Sequence, residues 1–266
     1  MKASEVFIGI AAHKEYQMPN NSIYYPIHVG SYNKELIGGY LSDAEGDNIS
    51  KHNANFCELT ATYYIWKNVN ADYKGLVHYR RHFTSKKSHS DYIKGKFSEV
   101  LDEKKLLTLL EDYDVILPTK RKYFIETLYS HYKHSHEIMP LDQTRIIIEE
   151  IYPMYLDSFD KIMIRRSAHM FNMFIMKHEY FNTYCEWLFS ILFELQNTID
   201  ISKYDEQEAR VFGYISELLL DVWLEENKVR YKEIPVMFME QQNWFIKGKN
   251  FLMNKFGNKS AEKISL

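Results

Sequence analysis

The sequence has little of several things that would narrow its class at once. Its 266 residues include two cysteines, Cys57 and Cys185, with no C-x-x-C pair and no metal-ligand spacing. A disulfide scaffold and a structural zinc site are therefore set aside, and both thiols read as buried apolar fillers in a reducing compartment. Six prolines and ten glycines are too few for a flexible linker, and there is no internal repeat or low-complexity segment. No apolar run approaches the ~20 residues that cross a bilayer. The first hydrophobic stretch, Val6 to Ala12, is too short and wrongly flanked for a secretory signal, so a cytoplasmic protein is expected. A surplus of positive charge is also missing: 33 Lys and Arg stand against 36 Asp and Glu, a net −3, which disfavours nucleic acid as a partner.

What is present is a core-forming composition, 45% hydrophobic, with 21 tyrosines that would suit either ring binding or plain packing. Residues 1–240 read as one α/β domain and 241–266 as a separate tail. Val6 to Ala12 is a continuous apolar run, as in a strand buried on both faces. Tyr24 to Ser31 reads as a second strand, kept near an edge by Pro26. Asp114 to Pro118 is a third buried strand, stopped by its proline. After the turn residues 43–53, Ser50 is placed to N-cap a helix whose Phe56, Leu59, Tyr63 and Trp66 form an apolar stripe. Further helices are expected within 88–110, 142–156, 181–195 and 205–224. A buried strand ending at Met176 carries Asn172 inside it.

The chain is organised around Tyr73 to Phe83. Gly75, Leu76 and Val77 read as a short buried strand that delivers His78, Tyr79, Arg80, Arg81, His82 and Phe83 at its C-terminal end, where open α/β sheets usually place a ligand. Arginine forks suit phosphate or carboxylate. Tyr79 or Phe83 could stack on a ring, and His78 or His82 could carry a proton near neutrality. His13 and Lys14, following the first strand, suit a phosphate as well. Asp43 and Asp47 suit sugar hydroxyls or ribose. Arg210 and Glu217, seven residues apart, share one side of a helix, as an ion pair with neighbours or as a site wall. The histidines 131, 134 and 136 lack zinc spacing and read as a loop that touches substrate. In the tail, Trp244, Phe245, Phe251 and Phe256 alternate with Lys247, Lys249 and Lys255, which fits an anionic membrane surface or a docked terminal helix.

The order of motifs resembles one bacterial family. The matching residues are Ala11-Ala12-His13-Lys14, Asp43, Asp47-Asn48-Ile49-Ser50, Asn53, Glu58-Leu59-Thr60, Trp66-Lys67-Asn68, His78-Tyr79-Arg80-Arg81, Asn172-Met173-Phe174 and Arg210 to Glu217. That family is an uncharacterised-domain group encoded in capsular and exopolysaccharide gene clusters, regarded as glycosyltransferases, with some relatives similar to galactofuranosyltransferases. The resemblance implies a GT-A-like, Rossmann-type mixed sheet flanked by helices, with a helical C-terminal segment. It implies transfer of a sugar from a nucleotide-sugar donor, UDP-hexose in the first instance, to a lipid-linked or oligosaccharide acceptor at the inner face of the membrane.

On that reading His13, Lys14, Asp43, Asn48, Ser50, Asn53, Glu58, Tyr79, Arg80, Arg81, Asn172 and Arg210 bind substrate. The general base is one of Glu217, Glu206, His78 and His136, unranked. GT-A enzymes commonly hold a divalent metal on an Asp-x-Asp. Here His78-Tyr79-Arg80-Arg81 takes that place, so metal-independent transfer is expected, with magnesium or manganese the alternative. A sugar-binding module without catalysis and another sugar-phosphate or nucleotidyl transferase stay open as rivals. Clustered arginines argue against the first, and the absence of a Gly-rich phosphate loop argues against the second.

Overall fold

The computed structural model describes residues 5–86 and 94–240, so the basic and aromatic tail at 241–266 lies outside the described residues. Strand β1 (Val6–Ala12) is a seven-residue apolar run, and β2 (Tyr24–His28) lies parallel to it, with Ile10 opposite Pro26. The two-residue β3 (Leu41–Ser42) pairs only with Ile27 and His28. Pro26, which has no N–H to give, therefore stands on the uncovered edge of β2.

The helical stripe after β3 forms in pieces. A 3-10 turn at Ser50–His52 leads into α1 (Asn53–Phe56), and α2 (Leu59–Asn68) begins afresh beyond Cys57. The break is at Cys57, whose φ of 52° lies in the left-handed region that L side chains seldom adopt. Asn53 holds the break by donating its side-chain amide to the Cys57 carbonyl at 2.7 Å. Ser50 does not cap the helix as its position suggests; Ile49 occupies the N-cap and the Ser50 hydroxyl turns inward.

Strand β4 (Tyr73–His78) lies at the centre, parallel to β1, and turns back through Tyr79 and Arg80 into β5 (Arg81–Phe83). Phe97, Val100 and Leu101, expected on a helix, lie before one. Helix α3 (Glu103–Asp112) starts only where the Asp102 carboxylate accepts from the Lys105 N–H at 2.9 Å, a side-chain N-cap. Strand β6 (Val115–Pro118) follows, then the short β7 (Arg121–Lys122). Residues 128–135 form α4 (Leu128–Ser135), capped by Thr127, where a loop was expected. Helices α5 (Met139–Ile151) and α6 (Leu156–Met163) lead to β8 (Ser167–Ala168), which pairs with β7.

Strand β9 (Phe174–Lys177) starts two residues after Asn172, so that residue lies in the bend before the strand rather than inside it. Helices α7 (His178–Thr198) and α8 (Val211–Glu226), then β10 (Tyr231–Ile234) and β11 (Val236–Phe238), complete the described chain.

The main sheet runs β10-β6-β9-β4-β1-β2-β3, with β5 paired to the end of the central β4 and β11 paired to β5. β9 is antiparallel to both neighbours, β4 and β6, while the other pairs along that path are parallel. Side chains alternate between two cores, as strand geometry requires. Leu76, Val115, Leu117, Phe174 and Met176 face a helical layer that includes α2, α7 and α8, while Val77, Ile116 and Ile175 face the layer containing Leu106 and Leu110 of α3. Gly75 is dictated by the crossing of β9: a Cβ there would lie 2.6 Å from the Phe174 carbonyl oxygen. This arrangement has one functional consequence. The C-terminal ends of β1, β2, β4, β6 and β10 and the N-terminal approach to β9 all meet at the same edge of the sheet.

Candidate active site

That edge gathers cations. His13 follows β1, and its ring meets Tyr79 edge-on with centroids 5.3 Å apart. Lys14 Nζ and the Arg80 guanidinium lie 5.7 Å and 5.0 Å from the centroid of the same ring. Burial lowers the His13 pKa first, and the charges of Arg80, Lys14, Arg210 and Lys34 lower it further. His13 is thus a neutral imidazole among positive groups supplied by four separate parts of the chain. Such a cluster of cations suits an anion. Arg80 lies on the exposed rim and pairs with Glu240 at 3.3 Å.

Arg81 sits deeper. Its guanidinium lies 4.6 Å from the centre of the Phe171 ring and 5.8 Å from that of Phe238. Among the described residues it makes no hydrogen bond or ion pair, so its planar fork is held by stacking and free to bind. Burial lowers its pKa, and the charges of Glu217 and Glu58 oppose that effect.

Beside Arg81 stand two carboxylates. Glu58 is the first residue after the Cys57 break, and Glu217 is on the second turn of α8. Glu217 is half-buried; burial, with the Glu58 charge second, pushes its pKa up to about 7. Arg81, the Phe171 N–H and Arg121 act in the opposite direction. Both glutamates are fixed by the bend before β9. Phe171 and Asn172 adopt φ values of 81° and 49°, two successive non-glycine residues in the left-handed region. The Phe171 N–H donates to Glu217 at 2.9 Å, and its carbonyl bonds to His78 Nε2. The Asn172 amide donates to Glu58 at 2.6 Å and to the Gly213 carbonyl at 3.1 Å, and accepts from Ser216 at 2.8 Å.

The structure gives several expected ligand-binding residues a different task. Asp43 is fully buried, and its carboxylate accepts from the Gly30 and Ser31 N–H groups at 2.7 and 3.0 Å and from the Ser31 and Ser50 hydroxyls. Those contacts occupy both oxygens and leave no ready acceptor for a sugar. Gly30 is required here, since φ is +64° and a Cβ would lie 2.4 Å from Asn53 Oδ1. Asn48 ties its own loop together through the Ala44 and Gly46 carbonyls. Ser50 and Asn53 are likewise spent on internal bonds, and Asn172 positions Glu58 rather than facing a ligand.

Tyr79 and Phe83 are core residues, so neither presents a bare face for a base. His82 is wholly buried and its pKa falls to about 3, which removes it as a proton carrier near neutrality. His136 stacks on Tyr214 at 4.1 Å and lies 3.5 Å from Glu208. Glu206 is exposed in the turn before the 3-10 segment Glu208–Arg210. Arg210 and Glu217 do not pair. The Arg210 Nε donates to Cys57 Sγ at 3.2 Å, and its guanidinium lies 5.7 Å from the Tyr214 ring centre. Cys57 is therefore no plain apolar filler: it lies beside a cation, and burial pushes its thiol up to about 11. Cys185 is wholly buried, as expected.

His131 and His134 share one helix face but bind the buried Glu126 carboxylate at 2.8 and 2.9 Å instead of a metal. Among the described residues no three His, Cys, Asp or Glu side chains are grouped to hold a metal ion. Among the described residues, too, no helix is long and apolar enough to cross a membrane.

The strand-end cations, the paired glutamates and the mixed sheet with one reversed central strand define a GT-A-like architecture. The chain superposes on the apo structure of WbbM, described as a bifunctional glycosyltransferase, with a TM-score of 0.82 and 32% sequence identity. The match covers 89% of this chain and 45% of that one, so the chain spans under half of the matched protein. Residues 7–228 match the family model described as "Domain of unknown function (DUF4422)", and the chain belongs to that family. None of the curated proteins searched matches.

Proposed function

We propose that this protein is a glycosyltransferase that moves a sugar from a nucleoside-diphosphate donor by direct displacement at the anomeric carbon. The observation that carries the reading is the juxtaposition of Glu217, with its pKa near 7, and a stacked Arg81 that has no hydrogen-bond or ion-pair partner among the described residues, at a cation-lined strand edge. A general base works best with a pKa near the operating pH. This ranks Glu217 above His78, whose proton affinity burial lowers, above the exposed Glu206, and above His136 packed against Tyr214.

In the reaction the acceptor hydroxyl gives its proton to the Glu217 carboxylate as its oxygen bonds to the anomeric carbon. The bond from that carbon to the diphosphate oxygen breaks, and the nucleoside diphosphate departs with the electron pair. Arg81, Arg80, Lys14 and Arg210 face the charge that grows on the leaving group, as fixed cations can in place of a metal. Neutral His13 adds a hydrogen bond. Glu58 raises the basicity of Glu217. The donor is a UDP-linked hexose, galactofuranose among the candidates, and the acceptor a growing capsular or exopolysaccharide unit on a lipid or oligosaccharide carrier. The motif resemblance supports that choice, the likeness to a bifunctional glycosyltransferase supports sugar transfer, and the clustered cations favour it over a neutral-sugar lectin.

A ligand that binds only the native state raises the melting temperature by mass action. A panel of nucleotides and UDP-sugars, run with and without EDTA, should give a shift with a nucleoside diphosphate that survives EDTA. A shift abolished by EDTA would overturn metal independence, and no shift with any nucleotide would overturn the donor class.

A further inference from the structure

A second surface at the same end of the molecule combines exposed apolar side chains with basic ones. The segment Thr119-Lys120-Arg121-Lys122-Tyr123-Phe124-Ile125 runs beside Ile164-Arg165-Arg166-Ser167. The two are held together by β7–β8 pairing and by N–H bonds from Tyr123 and Leu128 to the Arg166 and Arg165 carbonyls, both 2.8 Å. At its tip Phe124, Ile125 and Ile164 are 78%, 64% and 71% exposed.

The fold holds these side chains outward. Tyr123 and Glu126, on either side, are buried, and His131 and His134 clamp Glu126. Phe124 adopts φ of +55°, and the Ile125 and Glu126 N–H groups both turn back to the Tyr123 carbonyl, at 2.7 and 3.3 Å. The Arg166 guanidinium also holds the Phe124 carbonyl at 3.3 Å.

Around this apolar tip the two segments supply Lys120, Arg121, Lys122, Arg165 and Arg166 and no acid. Lys120 and Arg165 are partly answered by Glu233 and Glu225, whereas Lys122 and Arg166 are exposed. Apolar side chains at the tip of a cationic rim match the two layers of an anionic lipid surface, acyl boundary below and phosphate above. A protein partner would need an acidic rim around an apolar socket, a narrower match than a lipid surface requires.

We propose that the Phe124–Ile125–Ile164 tip, with its cationic rim, docks the protein on an anionic membrane and turns the Glu217 centre toward an acceptor carried there. Arg121 links the two places, since it belongs to the rim and its charge reaches Glu217. The orientation of the acceptor rests on the transferase reading; the docking itself does not.

The test is co-sedimentation of the full chain with phosphatidylcholine vesicles, with and without phosphatidylglycerol, alongside the melting shift with nucleotide. The wild-type protein should bind the anionic vesicles and be released by salt. Phe124→Ser/Ile125→Ser should weaken that binding by roughly tenfold or more, and Lys122→Glu/Arg166→Glu similarly. Both variants should keep the wild-type nucleotide shift, which shows that they fold. A Phe124→Ser/Ile125→Ser protein that binds vesicles as tightly as wild type would overturn the proposal and move any membrane contact to residues 241–266. So would a wild-type chain that does not bind anionic vesicles at all. Vesicle binding lost in the variants of a protein that takes no nucleotide would keep the docking surface and sink the transferase reading instead.

Discussion

Replacing Glu217 with Gln should lower turnover by about 10²–10⁴-fold, the usual worth of a general base, and leave the fold intact. The pH dependence makes the result specific. In the wild-type protein only the ionised Glu217 accepts a proton, so the rate should rise with pH through about 7 and level above it. Stability should run the other way. The folded-state pKa is raised above that of an ordinary glutamate, so the folded protein holds this proton more tightly than the unfolded chain does. That contribution is complete below the unfolded pKa, near 4.5, and is lost as pH rises through about 7. Glu217→Gln cannot ionise, and it should melt at or above the wild-type temperature at pH 8 while losing the alkaline rise in residual rate. A variant that melts well below wild type at every pH would make Glu217 a packing residue.

Arg81→Ala should cost about 10²–10³-fold in turnover, comparable to removing one fixed donor from a developing anion. The reason is geometric. The stacks on Phe171 and Phe238 set the plane of the guanidinium before any ligand arrives, so the fork is already oriented when charge appears. Arg81→Lys should recover little, because an ammonium neither stacks nor presents two parallel donors. The effect on stability should be small, within about 1 kcal/mol, since the lost cation–π contact is offset by no longer burying a charge. The loss should appear mainly in kcat if Arg81 meets the departing diphosphate, and mainly in KM if it only holds the donor. A large fall in denaturant midpoint with normal kinetics would assign Arg81 to the fold.

Much of this was legible in the chain because it rests on continuous patterns. Val6 to Ala12, the run around Leu76 and Val77, and Asp114 to Pro118 each carry enough adjacent apolar residues to declare a buried strand. The edge at which His13, Lys14 and His78 to Arg81 gather follows from those strands being parallel. What failed to show was set by contacts between distant segments. Ser50 has the chemistry of a helix cap, but a buried Asp43 competes for its hydroxyl and wins. Nothing in the sequence around Cys57 or Phe171 announces a left-handed residue, because neither is a glycine; Asn53 bonds the Cys57 carbonyl, and Glu217 and His78 bond the Phe171 backbone from distant segments. The three histidines after Tyr129 read as a loop that touches substrate until Thr127 caps 128–135 into a helix and Glu126 takes His131 and His134, leaving His136 just past its end. Asn172 was legible as a buried amide needing partners, and its partners proved to be Glu58, Gly213 and Ser216. The exposed pair Phe124–Ile125 gave no periodic signal, since its meaning lies in being held out by buried neighbours.

The most direct measurement is release of nucleoside diphosphate by the full chain from a panel of UDP-sugars, in EDTA, with wild type and Glu217→Gln side by side. The account predicts release from at least one donor by the wild-type protein, rising through about pH 7, and almost none from the variant. Equal release by the two proteins would contradict the role given to Glu217. Release that appears only when a divalent cation is restored would contradict the assignment of the diphosphate to Arg81, Arg80, Lys14 and Arg210 alone.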